Sequence, residues 1–421
     1  MVCCMSLLPP PTLIVRHIGE LLTMADPGVV TGASGPLGIV RDAMIVAHGD
    51  RILYAGPEAA FDATAFAASD TAPTTIDAGG RLVTPGLVDA HTHLVFAGDR
   101  AGEFHQRLAG TSYETIAAQG GGIASTMRAT RDATDSELIV LTNTRLESMR
   151  DHGTTTVEAK TGYGLDRETE DRLLHIAARF AAVRGLPRVV PTFLGAHTVP
   201  PEFRDDRAAY VALVRDEWLP AFAGRARFCD VFCEQGAFTA AEAASILTTA
   251  RRFDYKLKLH ADQLSASGGA ALAARLAVTS ADHLDHATDA ALDDLATAGV
   301  VAVLLPGCSF TLHTPYPAAR RFIARGVRVA IATDFNPGTC CCENLQMMVA
   351  LAVAHMGMTI AEALLAVTRH GAEALALDDV GSIAPGMRCD LALWRTTSHK
   401  EICYHFGVNL IEQVIIGGDV A

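Results

Sequence analysis

The pattern of apolar and polar residues gives the two ends of the chain one character and the middle another. The stretch "DAMIVAHGDRILYAGP" has an alternating apolar run, a turn at "HGD" and a second run, a pattern typical of a β-hairpin. The C-terminal stretches "GSIAPGMRCDLALW" and "NLIEQVIIGGDV" have the same character. We therefore predict a small β-sandwich domain assembled from residues 1–83 and 385–421.

The middle, residues 84–384, alternates predicted strands with predicted helices. One helix runs from about Ser136 to Gly153, and two others begin at Thr239 and Thr359, each with a glutamate three residues on, as in a capping box. Strands that alternate with helices pair in parallel, and eight such units close into a (β/α)₈ TIM-type barrel. A doubly wound open sheet is the alternative, but no G-x-G-x-x-G follows an early strand. We expect the glycine-rich "AQGGGIAS" to be a flexible loop at the active site.

Composition narrows the class of protein. The chain has 421 residues, half of them hydrophobic, and a formal charge of −13 without a basic run, which argues against nucleic acid as a partner. It contains no uncharged apolar stretch of membrane-spanning length, so we expect no membrane segment. Several of the ten cysteines are adjacent, at Cys3 and Cys4 and at 340–342, which is typical of reduced thiols and favours a cytoplasmic location.

Polar residues recur where the predicted barrel strands end. His91 and His93 are separated by one residue, so on a strand both imidazoles point to the same face. Active sites of such barrels lie at the C-terminal ends of the strands. The residues at these ends are His91, His93, Lys160, His197, Glu234, His260, His283 and Asp334.

Histidines and a carboxylate at one rim predict a metal site. Three imidazoles and one carboxylate suit zinc or iron and leave room for a water molecule. Such an ion favours hydrolysis of an amide-like bond. We expect no metal role for Cys340, Cys341 and Cys342, because three adjacent cysteines cannot all face one ion and thiolates suit closed structural sites better.

These features together resemble the amidohydrolase superfamily. The resemblance rests on "PGLVDAHTH", His260, His283 and the "ATD" that ends at Asp334. Within that superfamily, the segments "HTHLVFAGDR", "KTGYGLD", "FLGAHTVPPEF", "HADQLS", "ADHLDH" and "TDFNPGT" are similar to those of the imidazolonepropionase family. The resemblance covers about residues 40–395.

The resemblance implies hydrolysis of the cyclic amide of 4-imidazolone-5-propanoate to N-formimidoyl-L-glutamate, in histidine degradation. It implies that His91, His93, His260 and Asp334 bind one zinc or iron ion. Two-metal members commonly use a lysine at the end of the fourth strand, where this chain has Glu234. Asp334, His283 and Gln263 would act at the reacting atoms, although an amide such as Gln263 cannot be a base. Arg100 would bind the substrate carboxylate, and the other residues implied to line the pocket are Tyr163, His197, Gln263, Asn336, Gly338 and Thr339.

Other functions stay open at this point. Another amidohydrolase, such as a deaminase of a heterocycle, would share the metal ligands and differ in the pocket. A relative without activity would be expected to lose ligands, and here every expected ligand type is present. The resemblance further implies a small-molecule substrate and a homodimer.

Overall fold

The computed structural model describes residues 7–111, 115 and 120–421. The chain begins with five strands of a small sheet: β1 (Leu13–Leu22), β2 (Ile39–His48), β3 (Arg51–Pro57), β4 (Thr74–Asp77) and β5 (Leu82–Pro85). β2 and β3 pair antiparallel, so the predicted hairpin is confirmed. β1 lies between them and the later strands, antiparallel to β2 and parallel to β4 and β5.

Eight parallel strands follow and form the barrel. They are β6 (Leu87–Asp89), β7 (Thr154–Lys160), β8 (Arg188–Ala196), β9 (Phe228–Cys233), β10 (Lys256–Ala261), β11 (Ser280–His283), β12 (Val301–Leu304) and β13 (Val329–Ile331). They neighbour one another in chain order from β6 to β13. The first and last strands meet just beyond their ends, where Thr92 and Phe335 form an isolated parallel bridge. The predicted fold class, a TIM-type barrel with a small β domain, is confirmed.

The last three strands return to the first sheet. They are β14 (Leu391–Trp394), β15 (Ile411–Ile416) and β16 (Asp419–Val420). β14 pairs antiparallel with β5, so the two ends of the chain share one eight-stranded sheet. The chain passes from this sheet to the barrel at Gly86, where a Cβ would lie 2.2 Å from Thr155 Oγ1 on β7. Only glycine allows the connection to pass so close. The exact domain boundaries stay a prediction.

Helices surround the barrel and fill the connections. They are α1 (Ala101–Leu108), α2 (Ile123–Asp132), α3 (Asp135–Asp151), α4 (Arg167–Arg179), α5 (Arg207–Ala212), α6 (Leu219–Ala221), α7 (Ala240–Arg251), α8 (Gly269–Arg275), α9 (Asp289–Ala298), α10 (Pro306–Leu312), α11 (Ala319–Ile323), α12 (Leu345–His355), α13 (Ile360–Ala366), α14 (Arg369–Ala374) and α15 (Glu401–Tyr404). A π-helical turn, Leu213–Trp218, joins α5 to α6. Within the described ranges, no helix combines the length and apolar character needed to cross a membrane.

The connection after β6 differs from its prediction. The stretch expected to be a glycine-rich loop contains the start of α2, whose N-cap is Gly122 in the left-handed region (φ +73°). Residues 118 and 119 of that stretch lie outside the described residues. The loop prediction was therefore wrong from Ile123 onward. Helix α1 begins directly after Arg100 and places that residue at the mouth of the barrel.

Candidate active site

Four histidines and one aspartate meet at the carboxyl ends of the barrel strands. His91 and His93 follow β6, His260 lies in β10, His283 ends β11 and Asp334 follows β13. Among these five side chains, two sets have ligand atoms within 4.8 Å of one another, His91 with His93 and Asp334, and His91 with His260 and His283. Because both sets share His91, all five side chains surround one place.

Backbone hydrogen bonds hold the two ends of the barrel together at this cluster. The Asp334 N–H donates to the His91 carbonyl (3.0 Å), and the His93 N–H donates to the Phe335 carbonyl (2.9 Å). These bonds continue the parallel pairing of β6 and β13 beyond the strands. They fix the spacing between the H-x-H motif and Asp334, which are distant in sequence.

The imidazoles are buried and neutral. Burial holds the pKa of His91, His93 and His260 well below the usual range, and it lowers the pKa of His283 to about 4. Among the described side chains, those with buried ring nitrogens that lack a hydrogen-bond partner include His91 (Nε2), His260 (both nitrogens) and His283 (Nδ1). Unpaired buried nitrogens are costly, whereas a metal ion binds neutral imidazole. The donor set therefore fits a metal cofactor.

Two carboxylates lie behind the histidines. Asp282 Oδ2 accepts a hydrogen bond from His91 Nδ1 (2.6 Å), and Asp230 Oδ2 lies 2.9 Å from His260 Nδ1 in a contact that lacks hydrogen-bond geometry. Carboxylates placed in this way orient metal-binding histidines. Neither residue was predicted from the sequence, although an acid inside each of the apolar runs "RFCDVFCE" and "TSADHL" was a usable signal.

Two buried lysines form ion pairs with three carboxylates next to the cluster. Lys160 Nζ lies 2.6 Å from Asp230, 3.0 Å from Glu158 and 3.3 Å from Asp282, and Lys258 Nζ lies 2.9 Å from Glu158. Burial alone would lower the pKa of Lys160, but the charges of Asp230, Glu158 and Asp282 outweigh burial and raise it. Lys160 therefore remains an ammonium and points into the barrel.

Asp334 is held in an unusual conformation. Its φ of +54° lies in the left-handed region, and the φ of His283 is +74°. Such backbone is sparsely populated and occurs often at active sites. Asp334 Oδ2 accepts a hydrogen bond from Thr339 Oγ1 (3.0 Å), and burial raises the pKa of the carboxyl to about 7.

A cavity of about 440 Å³ opens above the cluster. The residues that line this cavity include Arg100, Tyr163, His197, Gln263, Asn336, Gly338 and Thr339, and their role in substrate binding stays a prediction. Arg107, seven residues after Arg100, also lines the cavity with a second guanidinium and was not predicted from the sequence. A Cβ at Gly338 would lie 2.1 Å from Arg100 Nη1. Glycine therefore lets the guanidinium lie against the loop after β13.

Asn336 shapes that loop. Its side-chain oxygen accepts hydrogen bonds from the Gly338 and Thr339 N–H groups (both 2.8 Å). Its amide nitrogen donates to the Asp334 carbonyl (2.6 Å) and to Thr339 Oγ1 (2.7 Å). These four bonds use the hydrogen-bonding capacity of the amide. Asn336 therefore fixes the loop that carries Gly338 and Thr339.

Three other predicted residues occupy the cavity wall. His197 Nδ1 donates a hydrogen bond to the Gly162 carbonyl (2.9 Å), and its ring stacks on His93 with ring centroids 5.0 Å apart. Tyr163 lies beside the same pair, 5.7 Å from the His93 ring. Gln263 donates to Cys308 Sγ at 3.7 Å.

Glu234 directly follows β9, and its side chain is bonded to the loop after β10. Its carboxylate accepts hydrogen bonds from the N–H groups of Leu264 (2.8 Å) and Ser265 (3.3 Å) and from the Ser265 hydroxyl. It therefore holds the loop after β10 in place.

The barrel, the added sheet and the histidine–aspartate cluster define a hydrolase of the amidohydrolase type. The model of the amidohydrolase family matches residues 82–421. The chain is 46% identical over 414 residues to the imidazolonepropionase of Symbiobacterium thermophilum, covering 97% of each chain. It is 45% identical to that of Sphingopyxis alaskensis, covering 93% of this chain and 95% of the relative. The chain belongs to the imidazolonepropionase family.

Solved structures agree on the fold at low sequence identity. An adenosine deaminase from Xanthomonas campestris with bound zinc matches with a TM-score of 0.73 and 18% identity, covering 99% of this chain and 93% of that one. The zinc complex of an atrazine chlorohydrolase from Arthrobacter aurescens matches with a TM-score of 0.61 and 17% identity, covering 97% and 94%. At such identity the likeness shows the shared architecture alone.

Proposed function

We propose that this chain hydrolyses 4-imidazolone-5-propanoate to N-formimidoyl-L-glutamate in histidine degradation. One observation carries the proposal: the histidine–aspartate cluster and the Arg100 guanidinium face the same cavity of about 440 Å³. Hydrolysis of the ring amide requires the histidine–aspartate cluster, and binding of an anionic tail requires the guanidinium. Membership of the imidazolonepropionase family supports the same reaction.

We infer that His91, His93, His260 and Asp334 hold one zinc or iron ion. The support is the unpaired buried ring nitrogens, the neutral imidazoles and the carboxylate that meets them, 3.4 Å from His91 Nε2. Such an ion, when bound, supplies Lewis-acid polarisation of a carbonyl and makes a water molecule more acidic.

The reaction adds water across the ring amide. The water oxygen bonds to the carbonyl carbon, the carbon–nitrogen bond breaks, and the nitrogen takes up a proton, so that substrate and water together equal the product. Asp334 takes the proton from the attacking water and delivers it to the leaving nitrogen. Thr339 holds the Asp334 carboxylate through its 3.0 Å hydrogen bond.

The remaining residues bind and orient the substrate. His283, whose Nδ1 is buried without a partner among the described residues, orients the water or polarises the carbonyl. Arg100 binds the propionate, Tyr163 and His197 form one wall, and the loop of Asn336, Gly338 and Thr339 forms another. Gln263 contributes binding without proton transfer.

The test supplies imidazolonepropionate to the metal-loaded protein and follows the loss of its ultraviolet absorbance. Hydrolysis of the ring releases no ammonia, whereas a deaminase of an amino heterocycle does. The same protein is therefore assayed for ammonia with adenosine and other amino heterocycles. Ammonia release together with unchanged imidazolonepropionate would establish the deaminase alternative, and failure to bind metal would favour a relative without activity.

A cytoplasmic location agrees with the adjacent cysteines. A homodimer remains the assembly that the resemblance implies. The partner that the site itself requires is a small molecule.

A further inference from the structure

We propose that Lys160 is a positioning residue whose ammonium links the carboxylates behind His91 and His260 and thereby sets the metal affinity of the site. The inference rests on the proposed metal site. It concerns a residue that the reaction described above does not use. Lys160 is fully buried in β7 and is not among the residues that line the cavity.

The geometry forms a chain of five side chains with Lys160 at its centre. On one side, Lys160 Nζ donates to Asp230 Oδ2 (2.6 Å), and that same oxygen lies 2.9 Å from His260 Nδ1. On the other side, Lys160 Nζ donates to Asp282 Oδ2 (3.3 Å), and that same oxygen accepts from His91 Nδ1 (2.6 Å). The Lys160 ammonium and His260 therefore contact the same oxygen of Asp230, and the ammonium and His91 contact the same oxygen of Asp282.

The second oxygen of each carboxylate is anchored elsewhere. Asp230 Oδ1 accepts from the His260 N–H (3.2 Å), and Asp282 Oδ1 accepts from Ser280 Oγ (2.7 Å). Both carboxylates are thus held at both oxygens. Lys160 contacts the oxygen of each carboxylate that also faces the histidine ring nitrogen. An anchored carboxylate fixes the tautomer and the orientation of its histidine, which directs the other ring nitrogen toward the ion.

A second buried lysine gives a natural comparison. Lys258 Nζ donates to the Ala90 carbonyl (2.8 Å) and to Glu158 (2.9 Å), and it lies 3.8 Å from Asp282. It therefore places an equal charge in the same buried cluster without a hydrogen bond to Asp230 or Asp282. If any buried cation sufficed, the two lysines would be equivalent for metal binding.

Loss of the Lys160 ammonium leaves Asp230, Asp282 and Glu158 facing one another with one fewer positive charge. Like charges at such distances repel strongly in a buried setting. The carboxylates would then rotate apart, and this movement releases the histidines. The ligands would remain present but would be poorly oriented, so metal affinity falls.

The experiment compares Lys160→Met with Lys258→Met in the purified full-length chain. Zn²⁺ affinity is measured by competition with a chelator, and the absorption spectrum of bound Co²⁺ reports the coordination geometry. Thermal unfolding of the metal-free proteins measures the structural cost separately. Wild type is titrated first: if it binds no metal ion, the proposed site itself fails, and this failure is distinct from failure of the Lys160 inference.

We expect Lys160→Met to weaken Zn²⁺ binding by about 10- to 100-fold, the range for partners of metal ligands, and to alter the Co²⁺ spectrum. Lys258→Met should destabilise the fold but keep metal affinity and spectrum close to wild type. Equal losses in the two variants would overturn the proposal, as would Zn²⁺ affinity of Lys160→Met within about threefold of wild type.

A double variant covers the case in which Lys160→Met does not fold. Glu158→Gln with Lys160→Met removes one negative and one positive charge, so the net charge of the cluster is unchanged. Asp230 and Asp282 still lose their shared ammonium, and Zn²⁺ binding should weaken to the same extent. Wild-type affinity in this folded double variant would overturn the proposal.

Discussion

At the scale of single residues, the side chains of the site are held in place by contacts with their neighbours. Asp334 is fixed by Thr339 on one oxygen and lies 3.4 Å from His91 on the other. The Asn336 amide is committed to its own loop. His197 is held by the Gly162 carbonyl and the His93 ring. The groups that remain for chemistry are therefore few and already oriented.

Replacing Asp334 with asparagine tests the proton transfer. The amide keeps an oxygen near the cluster but removes the charge and the basic site. We expect kcat to fall by at least about 10²-fold, the lower range for a positioned general base, with metal partly retained. Steady-state kinetics and elemental analysis of the same sample check this. Near-normal kcat with metal bound would show that another group takes the proton.

Arg100→Ala tests recognition of the propionate. A hydrogen bond to a charged group contributes about 1.5–3 kcal/mol, so kcat/KM should fall by roughly 10- to 100-fold or more. Lysine should restore part of the loss, because it keeps the charge but not the bidentate fork. On an imidazolone with methyl in place of propionate, wild type and Arg100→Ala should perform alike. Equal impairment on both substrates would mean that Arg100 only supports its loop.

Two further variants serve as controls for Arg100. Arg184→Ala removes an equal charge from an exposed ion pair with Asp419 and should leave kcat/KM unchanged. Gly338→Ala would place a Cβ 2.1 Å from Arg100 Nη1, and the flexible guanidinium should move aside. Gly338→Ala should therefore raise KM with little loss of thermal stability. Metal content should match wild type in every case.

At the scale of elements, helix starts were predicted better than the connection after β6. Thr239 and Thr359 each form the expected capping box, because a cap depends on residues three apart in sequence. The helix predicted from about Ser136 to Gly153 spans Asp135–Asp151. Helices α1 and α2 were missed because the glycines of the connection favoured a loop. Such local signals fix where a helix begins better than where it ends.

The capping box of α7 gives a pH-dependent contribution to stability. Glu242 accepts hydrogen bonds from Arg207, chiefly, and from Thr239, and these lower its pKa from 4.5 to about 2. Because the folded-state pKa is depressed, the stabilisation is present above pH 4.5 and is lost as the pH falls toward 2. The stability difference between wild type and Glu242→Gln, from urea unfolding, should therefore shrink below about pH 4.5.

Glu137 provides the matched control for this pH dependence. It completes the capping box of α3 with Thr134. Its lowered pKa comes from Thr134 alone, without an arginine. Glu137→Gln should thus give a smaller pH-dependent difference than Glu242→Gln. The same pH profile in both variants would show that the Arg207 ion pair adds nothing.

At the scale of the whole molecule, the pairing of the barrel strands brings together residues whose proximity could not be predicted from the sequence. The H-x-H motif and Asp334 were recognisable because each lies at the end of its own strand. The grouping of Lys160, Asp230 and Asp282 requires that β7, β9 and β11 direct these side chains into one interior. That arrangement depends on the pairing of strands far apart in sequence, which no local pattern contains. The grouping of these buried charges therefore became evident only from the fold.

From the ligands and buried lysines inside the barrel, we predict one tightly bound metal ion per chain. The two sets of possible ligands at the cavity share His91 and surround one place. The third set, His91 with Glu158 and Asp282, already has the Lys160 and Lys258 ammonium groups 3.0 Å and 2.9 Å from Glu158, so a second cation would have to displace a lysine. Elemental analysis of the active protein should give one ion per chain.

Chelation should abolish activity and lower the melting temperature, because an ion that binds only the folded state stabilises it. Adding one equivalent of metal to the stripped chain should restore both properties, and a requirement for two equivalents would contradict the single site.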